Sequence, residues 1–175
     1  MRRLHESPWP MTDSNRTINV LMVDDEEDLV MLMSRRLVKR GMDVATATSG
    51  AEALKLAAHR RFDVAVVDLK MPGMDGVEVM QRLRDIQPFI QTIMFTGHGT
   101  TESALEAGKL DAFRYVMKPC PFDELIDIVR EAHRSKRMEL RRLFQEEMRT
   151  VMNQSSTASD ILAASERLRQ KYEQD

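Results

Sequence analysis

From residue 18 onward, short apolar runs alternate with longer segments whose apolar residues recur at helical spacing. The runs are Ile18–Val23, Met42–Ala47, Asp63–Asp68, Ile90–Phe95 and Ala112–Met117. They have the length of strands. Between them, apolar residues fall three and four apart, as on one face of a helix. Residues 26–40 carry Leu29, Val30, Met33, Leu37 and Val38, and Gly41 stands where the helix should stop. Ser49 is a candidate N-cap for a helix through His59 that carries Ala53, Leu54 and Leu56. Residues 75–86 carry Val77, Val79, Met80 and Leu83, residues 100–107 form a short helical segment, and Pro121 opens another. Such alternation predicts an α/β fold, a parallel five-stranded sheet with helices on both faces. The run Val64-Ala65-Val66-Val67 is apolar at every position, as a strand buried on both faces must be.

In sheets of this kind ligands gather beyond the carboxyl ends of the strands. The first strand is followed by Asp24, Asp25, Glu26, Glu27 and Asp28, and the third ends at Asp68. The fourth leads into Thr96-Gly97-His98-Gly99, and the fifth into Lys118-Pro119. If the first and third strands are neighbours, Asp24, Asp25 and Asp68 meet at one edge. Clustered carboxylates either take up protons or bind a cation. Aspartates with carbonyl oxygens suit a hard divalent ion, Mg²⁺ or in its place Mn²⁺. Lys118 adds a point charge able to hold an anion, and Thr96 adds a hydroxyl. Metal, lysine, hydroxyl and a spare carboxylate together suit phosphoryl transfer, with Asp68 as the nucleophile of an aspartyl-phosphate. Taken singly, each of these residues has a plainer reading as a cap, a turn or a strand end; their convergence carries the assignment.

The segments VLMVDDE, VVDLKMPGMDG, FTGHG and YVMKP occur in this order. Together they resemble the receiver domain of two-component response regulators, over about residues 17–135. The resemblance implies a flavodoxin-like sheet of order 2-1-3-4-5. It implies Asp68 as phosphoacceptor, with Asp24, Asp25, Asp68 and the backbone carbonyl of Lys70 as the Mg²⁺ site. Thr96 and Lys118 would contact the phosphoryl group. Thr96 and Tyr115 would form the switch, and Lys118-Pro119 would be joined by a cis peptide bond. The implied phosphodonor is a sensor histidine kinase or a phosphotransfer protein, in a phosphorelay.

Three expected parts follow: a polar leader (1–16), a receiver domain (17–135) and a helical C-terminal extension (136–175). In the extension, Leu140, Leu143, Phe144, Met148 and Val151 form an apolar stripe. Ser159 is a candidate cap for a second helix carrying Ile161, Leu162, Leu168 and Tyr172. The extension could fold back, form a homodimer or dock an output protein. The cluster Arg134, Lys136, Arg137, Arg141 and Arg142 raises DNA binding as an alternative, but acidic residues interleave with it. A net charge of −2 gives no basic field for nucleic acid, and no run is long enough to insert in a membrane. The lone Cys120 points to a reducing, cytoplasmic setting. The four histidines lack zinc-ligand spacing. A phosphohydrolase working through an aspartyl-phosphate is the enzymatic alternative. Familiar enzymes of that kind place an aspartate two residues after the nucleophile, where this chain has Lys70, so a non-enzymatic phosphoacceptor is expected.

Overall fold

The computed structural model describes residues 16–97, 112–154 and 157–173. The strands are β1 (Asn19–Val23), β2 (Asp43–Ala47), β3 (Val64–Val67), β4 (Gln91–Thr96) and β5 (Arg114–Met117). The helices are α1 (Glu27–Val38), α2 (Gly50–His59), α3 (Gly76–Ile86), α4 (Phe122–Gln154) and α5 (Ala158–Glu173). The expected helix at 100–107, with His98 and Gly99, lies outside the described residues. All strand pairings are parallel and the order is β2-β1-β3-β4-β5. Residues 17–136 form one compact unit and residues from Arg137 onward belong to another, so α4 contributes to both.

Strand alternation sorts the core into two layers. Val20, Met22, Val64, Val66, Ile93, Phe95 and Val116 pack with Val30, Met33 and Leu37 of α1 and with Leu125, Ile126 and Val129 of α4. Leu21, Val23, Ala65, Val67 and Met94 pack with Ala53 and Ala57 of α2 and with Val79, Met80 and Leu83 of α3. β3 lies between β1 and β4 and is fully buried on both faces, as its unbroken apolar run requires.

Local chemistry sets most boundaries as expected. Ser49 and Asp75 cap α2 and α3 by accepting the N–H groups of Glu52 and Glu78. Gly41 takes φ +82° just past α1, a conformation that favours glycine. Three expectations fail. Val38 is exposed rather than core-facing, because it sits one residue, about a quarter turn, beyond buried Leu37. Ser159 is inside α5; the cap is Thr157, whose hydroxyl accepts Asp160 N–H. Leu162 lies on the solvent side of α5, and Ala164 is buried instead.

One feature of the sheet's amino edge is invisible to helix periodicity. Lys136 lies on α4 but is only 2% exposed. Its ammonium is 3.2 Å from Asp63 Oδ1 and 3.2 Å from the Phe62 carbonyl. Asp63 Oδ2 accepts the Asn19 N–H, and His133 Nδ1 lies 3.8 Å from Asp63 Oδ1. Lys136 therefore does not belong to the solvated basic cluster suggested by sequence.

In the second unit, Leu140, Phe144 and Met148 are buried, as is Tyr172 of α5. The Phe144 and Tyr172 rings meet edge to face at 6.3 Å. Glu147 accepts from Lys171 Nζ and Tyr172 Oη, both at 2.6 Å. Those two hydrogen bonds hold the Glu147 carboxyl below its ordinary value of 4.5.

Two outcomes follow. Breaking a buried ion pair from one side strands a charge, so Lys136→Met is expected to lower urea stability by about 3–5 kcal/mol. Asp63→Asn added to that variant should recover more than half of the loss, because no buried charge then lacks a partner. For Glu147, a folded-state pKa lowered below 4.5 means a contribution present above that pH and lost as pH falls through the lowered value. Acid should therefore shift the Tyr172 ring resonances toward free-tyrosine positions in an NMR titration, and Glu147→Gln should remove that step.

Candidate functional site

Asp24, Asp68 and Lys118 each follow a strand directly, and the parallel ladder continues one residue into each. Asp24 N–H donates to Ala47 O at the end of β2. Asp68 N–H donates to Val23 O at the end of β1, and Lys118 N–H to Thr96 O at the end of β4. Each residue is thus pinned by the last residue of a neighbouring strand. The side-chain alternation also places all three on the face shared by Val20, Val64 and Val116.

Their side chains meet. Lys118 Nζ lies 2.5 Å from Asp24 Oδ2 and 3.1 Å from Asp68 Oδ1. It also stands 5.4 Å from the centre of the Phe95 ring. Asp24 is 1% exposed and Asp68 6%. Burial pushes the Asp24 carboxyl up; hydrogen bonds from Lys118 and Glu26 N–H oppose this without cancelling it. Burial pulls the Lys118 ammonium down, but its hydrogen bonds and charge contacts with Asp24 and then Asp68 outweigh that and raise it. Lys118 is therefore held firmly charged between two acids.

Asp25, next to this group, is exposed. Among the described residues no three acid, histidine or cysteine side chains converge as a ready metal cage. Asp24 and Asp68 meet on Lys118, and the exposed Asp25 follows Asp24 directly in the chain. Lys70 is exposed, and its backbone N–H donates to Asp68 Oδ2 at 2.8 Å. Thr96 is fully buried at the end of β4. Tyr115 is half-buried against the α2 and α3 layer and is registered with Met94 on β4. The Lys118-Pro119 peptide bond is cis. Burial, followed by the charge of Glu124, pushes the Cys120 thiol up, away from reactivity.

The donor set suits a hard divalent ion. Two buried carboxylates share one ammonium and the exposed Asp25 stands beside them, so negative charge is in excess and every candidate ligand atom is oxygen. The residue that sequence reasoning missed is Gly76. A β-carbon there would lie 2.2 Å from the Asp68 carbonyl oxygen. Its signal was present in Met-Asp-Gly, but a glycine at a helix start reads first as a turn.

Comparison with known proteins agrees with this geometry. Residues 20–130 match the family model described as response regulator receiver domain. The chain is 32% identical over 112 residues to sporulation initiation phosphotransferase F of Bacillus subtilis, covering 64% of this chain and 90% of that protein. It is 33% identical over 119 residues to the transcriptional regulatory protein GlrR of Escherichia coli, covering 68% of this chain. The chain spans only about a quarter of that regulator's length, 27%. Response regulator protein TrrA of Thermotoga maritima, solved in complex with Mg²⁺-BeF, superposes with a TM-score of 0.60 at 32% identity, covering 66% of this chain and 99% of that one. The strand order, the paired acids bridged by a lysine and the matched family model agree, and the chain belongs to the receiver-domain family of two-component response regulators.

Proposed function

We propose that this chain accepts a phosphoryl group on Asp68 and uses it to switch a surface for a partner. The observation that carries the reading is the Lys118 ammonium held between Asp24 and Asp68 beyond the strand ends. An Asp68 carboxylate oxygen attacks phosphorus in the donor, and the bond from phosphorus to the donor's leaving group breaks. Lys118 is placed to exchange its contact with Asp68 for one with a phosphoryl oxygen, and Thr96 to give a second contact. Asp24, Asp25, Asp68 and the Lys70 carbonyl would hold Mg²⁺, or Mn²⁺ in its place. The metal, when bound, neutralises charge on the phosphoryl oxygens.

The donor in this reading is a sensor histidine kinase or phosphotransfer protein, and the setting is the cytoplasm. No described helix is long and apolar enough to cross a membrane. The phosphoryl adds about two negative charges, which draw Lys118 and Thr96 inward and let Tyr115 follow. Partner choice then depends on β5, α4 and α5, through a homodimer or an output protein. Direct DNA binding is disfavoured by the burial of Lys136. A phosphohydrolase is disfavoured by Lys70, which stands where such an enzyme carries a second aspartate.

Acetyl phosphate with Mg²⁺ is expected to add a single phosphoryl group, read by intact mass spectrometry. Asp68→Asn or removal of Mg²⁺ with a chelator should abolish it. Rapid multiple turnover of a phosphoester with no adduct on Asp68 would refute the proposal. Thr96→Ala should retain the adduct but lose the accompanying change in Tyr115 ring resonances.

A further inference from the structure

The loop between Asp68 and α3 is fixed at two points by the absence of a side chain. At its far end, Gly76 N–H donates to Leu69 O at 2.8 Å, so the start of α3 rests on the residue after the phosphoacceptor. A β-carbon on Gly76 would stand 2.2 Å from Asp68 O, 2.9 Å from Leu69 Cα and 2.8 Å from Met94 Cε. Two of these neighbours are backbone. The Asp68 backbone cannot yield freely, because its N–H is held by Val23 O and β3 is paired on both sides. Gly76 is not in the left-handed region, so contact, rather than backbone conformation, demands glycine here. Behind it, a β-carbon on Gly50 at the start of α2 would stand 2.6 Å from Val79 Cγ2 and 2.9 Å from Met74 Sδ. Met74 belongs to the same loop. α2 therefore presses the loop from one side while α3 seats on Asp68 from the other.

We propose that Gly76, backed by Gly50, is a positioning residue that sets where Asp68 and the Lys70 carbonyl sit. This rests on the phosphoacceptor reading above and names what fixes its geometry. Any side chain at position 76 must move the loop or α3 away from Asp68 by the better part of an ångström. Lys70 lies between the two ends of the loop, so its carbonyl moves too. Misplacement on that scale is costly for in-line attack and for ligand geometry around a small divalent ion.

The test compares the full chain with Gly76→Ala and with Gly41→Ala. Gly41 has φ +82° with open space around its α-carbon and lies at the amino edge of the sheet. Alanine there loses stability through backbone strain without touching the site. Mg²⁺ affinity by calorimetry, the Asp68 phosphorylation rate with acetyl phosphate, and urea stability are measured at a temperature where all variants are folded. Gly76→Ala is expected to weaken Mg²⁺ binding and to slow phosphorylation on the order of 10- to 100-fold, while Gly41→Ala changes neither. Equal behaviour of the two variants in both readouts overturns the proposal. So does rescue of Gly76→Ala by Met94→Ala, because the obstacle is then a flexible methyl and not the Asp68 carbonyl. If Gly76→Ala does not fold, Gly50→Ala decides: its added methyl meets only side chains, and a smaller loss in the same two readouts, relieved by Met74→Ala, is the expected result. Unchanged Mg²⁺ affinity and phosphorylation rate in Gly50→Ala overturn the proposal. Failure of the wild-type chain to bind Mg²⁺ or to take a phosphoryl group refutes the reading beneath it instead.

Discussion

Two carboxylates, Asp24 and Asp68, are buried at one edge of the sheet and share the Lys118 ammonium. Without that cation one acid would have to take up a proton or move to solvent. The requirement reaches far into the architecture. Lys118 lies 94 residues from Asp24 and reaches it only because β5 ends at the same edge as β1 and β3. Parallel pairing is what brings those ends together, and parallel pairing demands helical crossovers on the sheet faces. The ladder contacts from Asp24, Asp68 and Lys118 to the ends of β2, β1 and β4 then fix three backbones before any side chain acts. A rigid frame thus holds a charge arrangement that is one cation short of comfort, a suitable state for a site that binds a metal and an anion together.

Most of this could be read from the sequence, for definite reasons. The strands are short runs in a regular alternation, and VAVV could be assigned to the sheet interior because it has no polar face. Ser49 announced its helix by capping chemistry that acts within three residues, and Asp75, read as the first residue of its helix, is the cap instead. Local signals of this kind survive into the fold. The strand order came from resemblance, since periodicity cannot say which strands are neighbours. Asp24, Asp68 and Lys118 were found because each ends a strand. Val38 and Leu162 were misassigned where an apolar residue sits beside a stripe rather than on it. Gly76 escaped because a glycine at a helix start reads first as a turn, and Lys136 because its partners are distant in sequence. Lys136 meets Phe62 O 74 residues away, and no local pattern marks a lysine for burial.

β3 carries an acid at both of its ends, Asp63 before Val64 and Asp68 after Val67, and comparing them shows why only one makes a site. Both are buried and both face a lysine. At the amino edge, Asp63 gives one oxygen to Asn19 N–H and the other to Lys136, whose ammonium is itself 2% exposed and also held by Phe62 O. Charge is balanced one to one, and solvent has no approach. A ligand there would have to displace a buried cation that has nowhere to go. At the carboxyl edge, Lys118 is divided between two acids and remains partly exposed, while Asp25, Lys70 and Gly97 open onto solvent. On the proposed reading, an incoming metal would add the positive charge that is missing, and an incoming phosphoryl group would offer Lys118 a new partner. The same pair of residue types is therefore a brace where the charges balance and water is excluded, and suits a reactive site where the acids outnumber the lysine and one side stays open.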